Sequence, residues 1–315
     1  MDARPLVSIG VPTFNRERTL ERTLRSALQQ TYVRIELVIS DNASTDGTGR
    51  LCRAVAASDP RVRYLRQATN IGPTENFNTL FRECRGDYVM MLADDDWLDA
   101  GYVSACVELL EREPGTALAA GRAGYYRGDE FAGDGALHEH CQPSAGARVL
   151  DYLATVDDNG VFYGVMRRGV LDRVQPLPNV LGNDWLHVAR VAALGKIRML
   201  DTVHVNRELD GTSASVESIL EMFQTHRWQA RVPQLVIAWH LLHDIGLDHP
   251  AYRGLGRAGR LLVAVAGAAV SIRWRHLAWH VITPSIVAVC RRPRGRPLAR
   301  LYFRLTRVFG AGQRI

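Results

Sequence analysis

Apolar and polar positions follow two different periods along residues 7–112. Val7–Val11 and Ile35–Ser40 are short, mostly apolar runs between polar turns, a pattern that predicts buried strands. Between them, Glu17–Gln30 repeats apolar residues such as Leu20 and Leu24 every three or four positions, which predicts an amphipathic helix. Strands that alternate with helices predict the α/β class, with a doubly wound, mostly parallel sheet flanked by helices.

The same two periods continue through most of the chain. They predict further strands at 62–65, 88–92, 117–126, 161–166 and 197–205, and helices at 48–57, 72–84, 102–111, 182–194 and 218–242. Residues 127–147 are rich in glycine and have neither period, so we expect a mobile loop there. A length of 315 residues fits one large domain, or one domain with an appendage.

Three consecutive carboxylates, Asp94, Asp95 and Asp96, follow the predicted strand at 88–92. Oxygen ligands at the carboxyl end of a strand suit Mg²⁺ or Mn²⁺, which bridge to substrate phosphates. The triplet also fits a solvated turn, with Asp99 as the N-cap of the following helix. The triplet therefore favours a metal site without excluding a turn.

A second acidic cluster, Asp41–Thr48, follows the predicted strand at 35–40. Alone it fits a turn, because Asp, Asn, Ser and Gly favour turns for local backbone reasons. In open α/β sheets, however, ligands bind outside the carboxyl ends of the strands, where the two clusters would meet. The pair predicts a site for a nucleotide-diphosphate compound.

Charge is distributed unevenly along the chain. The net charge is +6, yet Ala251–Ile315 holds thirteen Arg and no Asp, Glu or Lys, which leaves the first 250 residues at −7. The basic end predicts an anionic partner, and nucleic acid is not predicted because no nucleic-acid-binding module accompanies the charge. Five widely spaced cysteines without a C-x-x-C pair, and no signal stretch, predict reduced thiols in a cytoplasmic setting.

Several motifs occur in an order that resembles the family 2 glycosyltransferases of the GT-A fold, of the inverting, bacterial type. They are Val7–Arg16, Ser26-x-x-x-Gln30-Thr31-Tyr32, Asp41–Thr48, Asn70–Gly72 with Asn76, Gly86–Tyr88, Leu92–Trp97, and Gly182–Trp185 with Leu194–Ile197. The resemblance covers about residues 5–215. It implies a glycosyltransferase domain at 1–215, with a nucleotide-binding half at 1–100 and an acceptor half at 101–215. Residues 216–315 would form a helical extension that is basic from residue 251.

The resemblance also implies roles for individual residues. The nucleotide would be bound by Pro12, Thr13, Asn15 and Asp41, the ribose by Asp94, the metal ion (Mn²⁺ or Mg²⁺) by Asp95 and Asp96, and the diphosphate by Arg207, with Asp184 as the catalytic base. The chain departs from the family pattern at Ala93, which replaces the first acid of the triplet motif, and at Asn183, which replaces an acid beside Asp184. A single base opposite the leaving group implies one displacement with inversion.

The C-terminal segment predicts a membrane partner. The apolar runs 261–272 and 277–290 are too short to span a bilayer, and aromatic and arginine residues are interleaved with them. Such helices lie in the interface of an anionic membrane, here the inner face of the cell membrane, which suits a lipid-linked or cell-envelope glycan acceptor. The alternative is an appendage packed on the acidic domain or on a second subunit of a homo-oligomer.

Three other functions compete with this prediction. A sugar-1-phosphate nucleotidyltransferase would have a Gly-rich, basic phosphate loop after the first strand, where this chain has Pro12–Arg16. A dinucleotide-binding dehydrogenase needs its G-x-G-x-x-G after a strand, whereas Gly254–Gly259 follows none and has no acid after it. A non-catalytic, membrane-associated nucleotide-sugar-binding protein would have no need to retain Asp41, Asp95 and Asp184 together.

Overall fold

The computed structural model of the chain describes residues 4–156, 159–209 and 227–272. Its strands are β1 (Val7–Thr13), β2 (Ile35–Asp41), β3 (Val62–Arg66), β4 (Tyr88–Met91), β5 (Trp97–Leu98), β6 (Thr116–Arg127), β7 (Glu130–Asp134), β8 (Val165–Arg167) and β9 (Lys196–Glu208). They form one sheet in the order β3-β2-β1-β4-β8-β6-β9-β5, with β7 paired to β6.

Parallel pairing brings the carboxyl ends of the first strands to one edge. β1 pairs in parallel with β2 and β4, and β2 with β3. In this register Thr13 lies beside Asp41, and Asp41 beside Arg66. The long β6·β9 pair is also parallel, whereas the shorter strands β5, β7 and β8 run antiparallel to their neighbours. The predicted α/β class with a doubly wound, mostly parallel sheet is confirmed.

Helices cover both faces of the sheet. They are α1 (Leu20–Leu28), α2 (Thr48–Ser58), α3 (Pro73–Glu83), α4 (Tyr102–Arg112), α5 (Ala145–Thr155), α6 (Arg168–Val174), α7 (Asn183–Leu194), α8 (Pro233–His243) and α9 (Gly256–Ser271). Buried residues of α1, α2 and α4 form one apolar core with the sheet, and those of α3 and α5–α9 form the other. The buried apolar residues of α1 and α4 lie on the side of the helix that faces the sheet, as the sequence period requires.

The segment 127–147 differs from the mobile loop that the sequence predicts. Strand β7 turns back on β6 to form a hairpin, and Gly128 and Gly133 have φ values of +60° and +140°, which glycine adopts without strain. Phe131 packs edge-on against Tyr126, with ring centroids 5.3 Å apart. Helix α5 follows, begun by Ser144, whose hydroxyl accepts a hydrogen bond from the Ala147 amide.

Two further predicted elements have different bounds in the structure. The strand expected at 161–166 divides into a 3₁₀ turn, Gly160–Tyr163, and the short strand β8. The helix expected at 218–242 begins at Pro233, which occupies the first helical turn, where proline lacks no required hydrogen bond. Residues 218–226 of that prediction, the boundary at residues 215 and 216, and the apolar run 277–290 lie outside the described residues.

A buried ion pair joins the described C-terminal helices to the rest of the protein. Two bonds link the Arg190 guanidinium on α7 to the carboxylate of Asp244, at 3.1 Å and 2.6 Å, and both side chains are buried. Arg190 also donates to the carbonyl of Val174 at 2.7 Å. A buried pair of this kind destabilises a fold strongly when one partner is lost, so α7 and α8 are held as a unit.

Candidate active site

Asp41 ends β2 and is completely buried. Its Oδ1 accepts a hydrogen bond from the Ser44 amide at 2.8 Å, and its Oδ2 accepts from the Tyr64 hydroxyl at 2.7 Å and from Arg66 at 2.6 Å. Burial by itself would raise the pKa of Asp41, but the hydrogen bonds from Ser44 and Tyr64 and the Arg66 charge bring that pKa below its usual value. The carboxylate is therefore a fixed anion, and a direct contact with a nucleotide base would replace one of these bonds.

The end of β1 joins the two acidic loops. Pro12 lies in register with Ser40 on β2, and Thr13 is buried. Asn15 adopts φ of +55°, which asparagine tolerates better than most residues, and its side-chain oxygen accepts a hydrogen bond from the Thr45 amide at 2.8 Å. The three residues predicted to bind the nucleotide thus border the loop that follows Asp41.

Asp94 faces the same loop. Its Oδ1 accepts from Arg16 Nε at 3.2 Å, and its Oδ2 accepts from the Phe14 amide at 3.3 Å. Burial raises the pKa of Asp94 to about 6, against the lowering effects of the Arg16 charge and the Thr13 hydroxyl. The structure thus brings Asp94 to the end of β1, against Phe14 and Arg16, and its contact with a ribose stays a prediction.

Asp96 has protein partners for its carboxylate, which was predicted to be a metal ligand. Its Oδ1 accepts a hydrogen bond from the Glu208 amide at 3.0 Å, and its Oδ2 lies 3.5 Å from Arg207 Nε. The side chain is only 4% exposed, and burial raises its pKa to about 7 although the Arg207 charge opposes this. Asp96 therefore ties β9 to the acidic triplet, and a metal ion at Asp96 would share the carboxylate with these two partners. Arg207, predicted to contact the diphosphate, is held by its ion pair with Asp96. Its guanidinium carbon lies 5.2 Å from the centre of the Tyr163 ring.

Asp95 is the open carboxylate of the triplet. It is half-buried, and its side chain forms no hydrogen bond or ion pair within residues 4–156, 159–209 and 227–272. No group of three or more His, Cys, Asp or Glu side chains that could hold a metal ion occurs in that part of the chain. A divalent cation at Asp95 would therefore need further oxygen ligands from a bound diphosphate and water, which is how Mg²⁺ and Mn²⁺ commonly bind in nucleotide sites.

Asp184 stands in the first turn of α7. Its Oδ2 accepts a hydrogen bond from the Asn159 side-chain amide at 2.8 Å, and the Asn159 oxygen accepts one from the Tyr152 hydroxyl at 2.8 Å. Burial raises the pKa of Asp184, although Asn159 and the amides at the start of the helix lower it. A carboxylate with a raised pKa is a better proton acceptor than an ordinary one, which suits the predicted general base.

Tyr163 and Arg207 connect the acidic triplet to Asp184. Burial raises the pKa of Tyr163, and the charges of Arg207, Asp96, Asp95 and Asp184 all act on its hydroxyl. Arg207 in turn lowers the pKa of Asp184. The predicted metal side and the predicted base therefore both lie within electrostatic range of the same two residues, Tyr163 and Arg207.

The sequence did not identify four of the residues that hold these acids: Tyr64, Arg66, Tyr152 and Asn159. Arg66 could have been found, because it ends the strand that follows Asp41 and the two strands pair in parallel. No local sequence pattern around Asn159 predicts its hydrogen bond to Asp184. Asp99, considered above as a helix N-cap, instead binds the amide of His204 at 2.8 Å and the side chain of Asn206 at 2.9 Å, so it fastens β9 to the triplet loop.

The chain is similar to known glycosyltransferases in sequence. Residues 8–174, more than half of the chain, match the family described as glycosyl transferase family 2. An uncharacterised protein of Mycobacterium tuberculosis is 29% identical over 286 residues, which cover 82% of this chain and 78% of that protein. The GalNAc(5)-diNAcBac-PP-undecaprenol beta-1,3-glucosyltransferase of Campylobacter jejuni is 34% identical over 105 residues, which cover 33% of this chain and 34% of that enzyme.

Solved structures of glycosyltransferases share the fold. Staphylococcus aureus TarS 1-349 superposes with a TM-score of 0.58 at 17% identity, covering 87% of this chain and 74% of that one. TarS 1-349 has also been solved in complex with UDP-GlcNAc, and that structure gives a TM-score of 0.53 at 16% identity, covering 88% of this chain and 84% of that one. The mannosyltransferase PcManGT from Pyrobaculum calidifontis, in complex with GDP-Man and Mn²⁺, has a TM-score of 0.50 at 17% identity, covering 94% and 84% of the two chains. At these identities the comparison establishes the GT-A fold.

Proposed function

This chain belongs to glycosyl transferase family 2, and we propose that it moves a sugar from a nucleotide-diphosphate sugar to a hydroxyl of a glycan or lipid-linked acceptor, with inversion and with help from a divalent cation. The observation that carries the proposal is the arrangement of two carboxylates. Asp95 has no protein partner in the described part of the chain, and Asp184, with its raised pKa, lies within electrostatic range of the same two residues, Tyr163 and Arg207. Membership of this family removes the nucleotidyltransferase and the non-catalytic binding protein from consideration.

The side chains around Asp95 fit a divalent cation. Its carboxylate is half-buried and without a hydrogen-bond donor in the described part of the chain, and burial of such an anion without a counter-ion costs free energy. Mn²⁺ or Mg²⁺ bound there would supply a Lewis acid for the charge that develops on the leaving diphosphate. Asp94 and the β1 loop, Pro12 to Asn15, would hold the nucleoside in the orientation that the parallel strand ends define. Asp41 fixes the neighbouring loop, which follows β2, through its bonds to Ser44 and Arg66.

Asp184 is the group that would accept the proton. As the acceptor oxygen forms its bond to the anomeric carbon, the bond from that carbon to the diphosphate oxygen breaks, and the hydroxyl proton passes to a carboxylate oxygen of Asp184. Asn159 donates to Oδ2 of this carboxylate and orients it. Asn183 precedes Asp184 in place of an acid, so this stretch supplies one carboxylate, which suits a single displacement.

Relatives support the donor class and the acceptor class to different extents. TarS and PcManGT, which share this fold, have been solved with UDP-GlcNAc and GDP-Man, so a nucleotide sugar is the natural donor class. The name of the Campylobacter jejuni relative specifies an undecaprenol-linked acceptor, which supports a lipid-linked glycan. A screen of nucleotide sugars identifies the donor.

The test combines that screen with one substitution. Full-length protein is incubated with UDP, GDP and dTDP sugars, with Mn²⁺ or with EDTA, and both the melting temperature and the release of nucleotide diphosphate are measured. We expect one donor class to raise the melting temperature more strongly with Mn²⁺, because a ligand that binds the folded state stabilises it by mass action. Asp95→Asn should lose this metal-dependent increase and reduce turnover to the level seen with EDTA.

The matched control is Asp129→Asn, which removes an equal charge from an exposed position on the β6–β7 hairpin. Its turnover and metal response should equal those of the wild type. Full wild-type activity in excess EDTA would contradict the proposed metal dependence. A product of retained anomeric configuration, seen by NMR of the first turnover products, would contradict the single displacement.

A further inference from the structure

Exposed large apolar side chains are concentrated in the last described part of the chain. Among the described residues, eight of the thirteen such side chains lie in the short segment 227–272: Trp228, Leu235, Trp239, Leu247, Leu261, Leu262, Val265 and Val270. Trp239 is 59% exposed and Leu262 is 70% exposed. Single exposed apolar residues need no explanation, but a concentration of this kind marks an interaction surface.

Helix α9 is apolar on both of its sides. Its inner side, including Val263 and Gly267, packs on α5 so closely that a Cβ atom at Gly267 would lie 2.7 Å from Leu153. Its outer side presents Leu261, Leu262 and Val265 to the surroundings. A surface helix in water carries polar residues on its outer side, but residues 261–271 contain no charged residue at all. The outer side of α9 is therefore suited to an apolar environment.

Helix α8 adds a second apolar stripe. Leu235 and Trp239 are four residues apart, lie on one side of the helix and are exposed, whereas Val236 and Ile237 are buried. The two helices pack against each other within one apolar core. We define the docking face as Leu235, Trp239, Leu261, Leu262 and Val265.

The packing also determines how this face could meet a membrane. Residues Pro250–Ser271 form a helical stretch of 22 residues that is long and apolar enough, by length and composition alone, to cross a bilayer. A spanning helix, however, needs lipid or other spanning helices around it, whereas the inner side of α9 is packed on α5. The geometry therefore fits a helix that lies along a membrane surface with one side in the lipid.

The distribution of charge along the chain favours an anionic membrane as the partner of the docking face. Arg253 and Arg257 are exposed at the beginning of the α9 stretch. In the sequence beyond it, residues 273–315 add ten Arg and no Asp or Glu, whereas the first 250 residues carry a net charge of −7. Near-surface arginines are attracted to anionic lipid, and the acidic domain is repelled by it, so the C-terminal side would face the membrane.

We propose that the docking face binds the surface of an anionic lipid bilayer, with its apolar side chains in the headgroup region and the arginines of the C-terminal segment on the lipid phosphates. The inference deepens the proposed function. It rests on that function only for the statement that the acceptor is lipid-linked. On the inner side of α8, Ile237 comes within 2.8 Å of a Cβ position at Gly182, two residues before Asp184. A membrane-bound protein would thus hold its base close to the lipid surface, where a lipid-linked hydroxyl is presented.

The test measures co-sedimentation of the full chain with vesicles of phosphatidylcholine alone or mixed with phosphatidylglycerol. We expect binding to the mixed vesicles, and we expect added salt to weaken it because salt screens the charges. The double variant Leu261→Glu/Leu262→Glu should reduce the partition coefficient at least about tenfold, because it replaces by charges two apolar groups that would enter the lipid. The control Val33→Glu, which alters an exposed apolar residue before β2 and far from α8 and α9 in the sequence, should bind as the wild type does.

Other outcomes would overturn the inference. Equal vesicle binding by the wild type and the double variant, with both proteins folded by thermal melts, would show that the docking face is not in the lipid. If light scattering shows a wild-type dimer that the double variant converts to a monomer, with no change in vesicle binding, the face joins two copies of the chain instead. Quenching of Trp fluorescence by brominated lipid, reduced in Trp239→Phe, is the independent readout.

The same preparations separate this inference from the proposed function. Nucleotide-sugar turnover is measured with a water-soluble acceptor or by donor hydrolysis, where the membrane is not needed. Normal turnover by a wild-type protein that does not bind vesicles would refute the docking face alone. Vesicle binding without any turnover would refute the proposed enzyme and leave the docking face in place.

Discussion

Asp41 on the nucleotide side and Asp184 on the acceptor side are both carboxylates, but their pKa values are shifted in opposite directions. Asp41 is buried and Asp184 is partly buried, and burial acts to raise the pKa of each. At Asp41 the donors Ser44, Tyr64 and Arg66 outweigh burial, and the pKa falls below its usual value. At Asp184 the amide of Asn159 and the backbone at the helix start do not, and the pKa stays raised. The donors around a carboxylate thus decide whether it remains a fixed anion or can take up a proton.

This difference assigns separate tasks to the two residues. A carboxylate that remains ionised through the physiological range fixes a loop and cannot act as a proton acceptor that cycles with each turnover. A carboxylate with a raised pKa accepts a proton more readily, at the cost of being protonated in mildly acidic solution. Substitutions at the two positions should therefore affect different measured quantities.

The largest expected effect is that of Asp184→Asn on turnover. The amide cannot accept the acceptor proton, so kcat should fall by about a hundred- to ten-thousand-fold, the usual contribution of a general base. The side chain keeps its shape, and the donor-binding residues are elsewhere, so the Kd of the nucleotide sugar should change little. Isothermal titration and initial rates measure the two quantities separately. A variant with near wild-type kcat would show that the base is another residue.

Asp41→Asn should instead reduce stability. The substitution leaves Tyr64 and Arg66 with a neutral partner in a buried position, for which we expect a loss of about 1–3 kcal/mol in the free energy of unfolding. Because the folded pKa of Asp41 is depressed, its contribution to stability is present above the unfolded pKa and is lost as the pH falls through the folded value. The stability difference between wild type and variant should therefore be constant at neutral pH and shrink in strongly acidic solution.

Urea unfolding at a series of pH values measures this difference. The comparison variant is Asp59→Asn, whose carboxylate has a lowered pKa through its hydrogen bonds to Arg61 but is partly exposed. Its stability loss should be smaller, since exposed ion pairs contribute little. A loss for Asp41→Asn that does not exceed that for Asp59→Asn would contradict the role of Asp41 as the buried support of the loop.

The sequence predicted the parts of this comparison that depend on local pattern. Strands β1–β4 were found within two residues at either end because apolar runs and helical periods are local, and parallel strands bring Asp41 and Asp94 to one edge whatever the rest of the chain does. The hairpin at β7 was missed because its strand carries Gly133 and few apolar residues. Its stability comes from Phe131 packing on Tyr126, which periodicity does not reveal.

The remaining features depend on pairing between distant residues. The family resemblance implies a metal contact for Asp96, and the structure pairs its carboxylate with the Glu208 amide, more than a hundred residues away on β9. The register of β9 against β5 places that amide there, and no local motif encodes this register. Likewise, Asn159 reaches Asp184 from a loop with a φ of +50°. Motifs thus indicate which acids follow the strand ends, but they could not show which of these acids already has a protein partner.

The smallest expected effect concerns the partner of Asp184, and it tests whether the donor around a carboxylate controls its proton affinity. Asn159→Ala removes a hydrogen bond that favours the ionised form, so the already raised pKa of Asp184 should rise further. Since the base works only when ionised, kcat falls as the pH drops through this pKa, and the acidic limb of the profile should move to higher pH. On that limb the variant should be slower by about tenfold, the factor that corresponds to roughly 1.4 kcal/mol.

Two further variants separate this effect from misfolding. Asn159→Gly removes the same amide but accepts the positive φ without strain, so it should show the same shifted limb with a higher melting temperature than Asn159→Ala. Tyr152→Phe leaves the amide in place and removes only the hydroxyl that orients it, so its limb should move in the same direction and by less. If all three variants lower kcat equally at every pH, Asn159 serves only to hold the loop, and its hydrogen bond does not lower the pKa of Asp184.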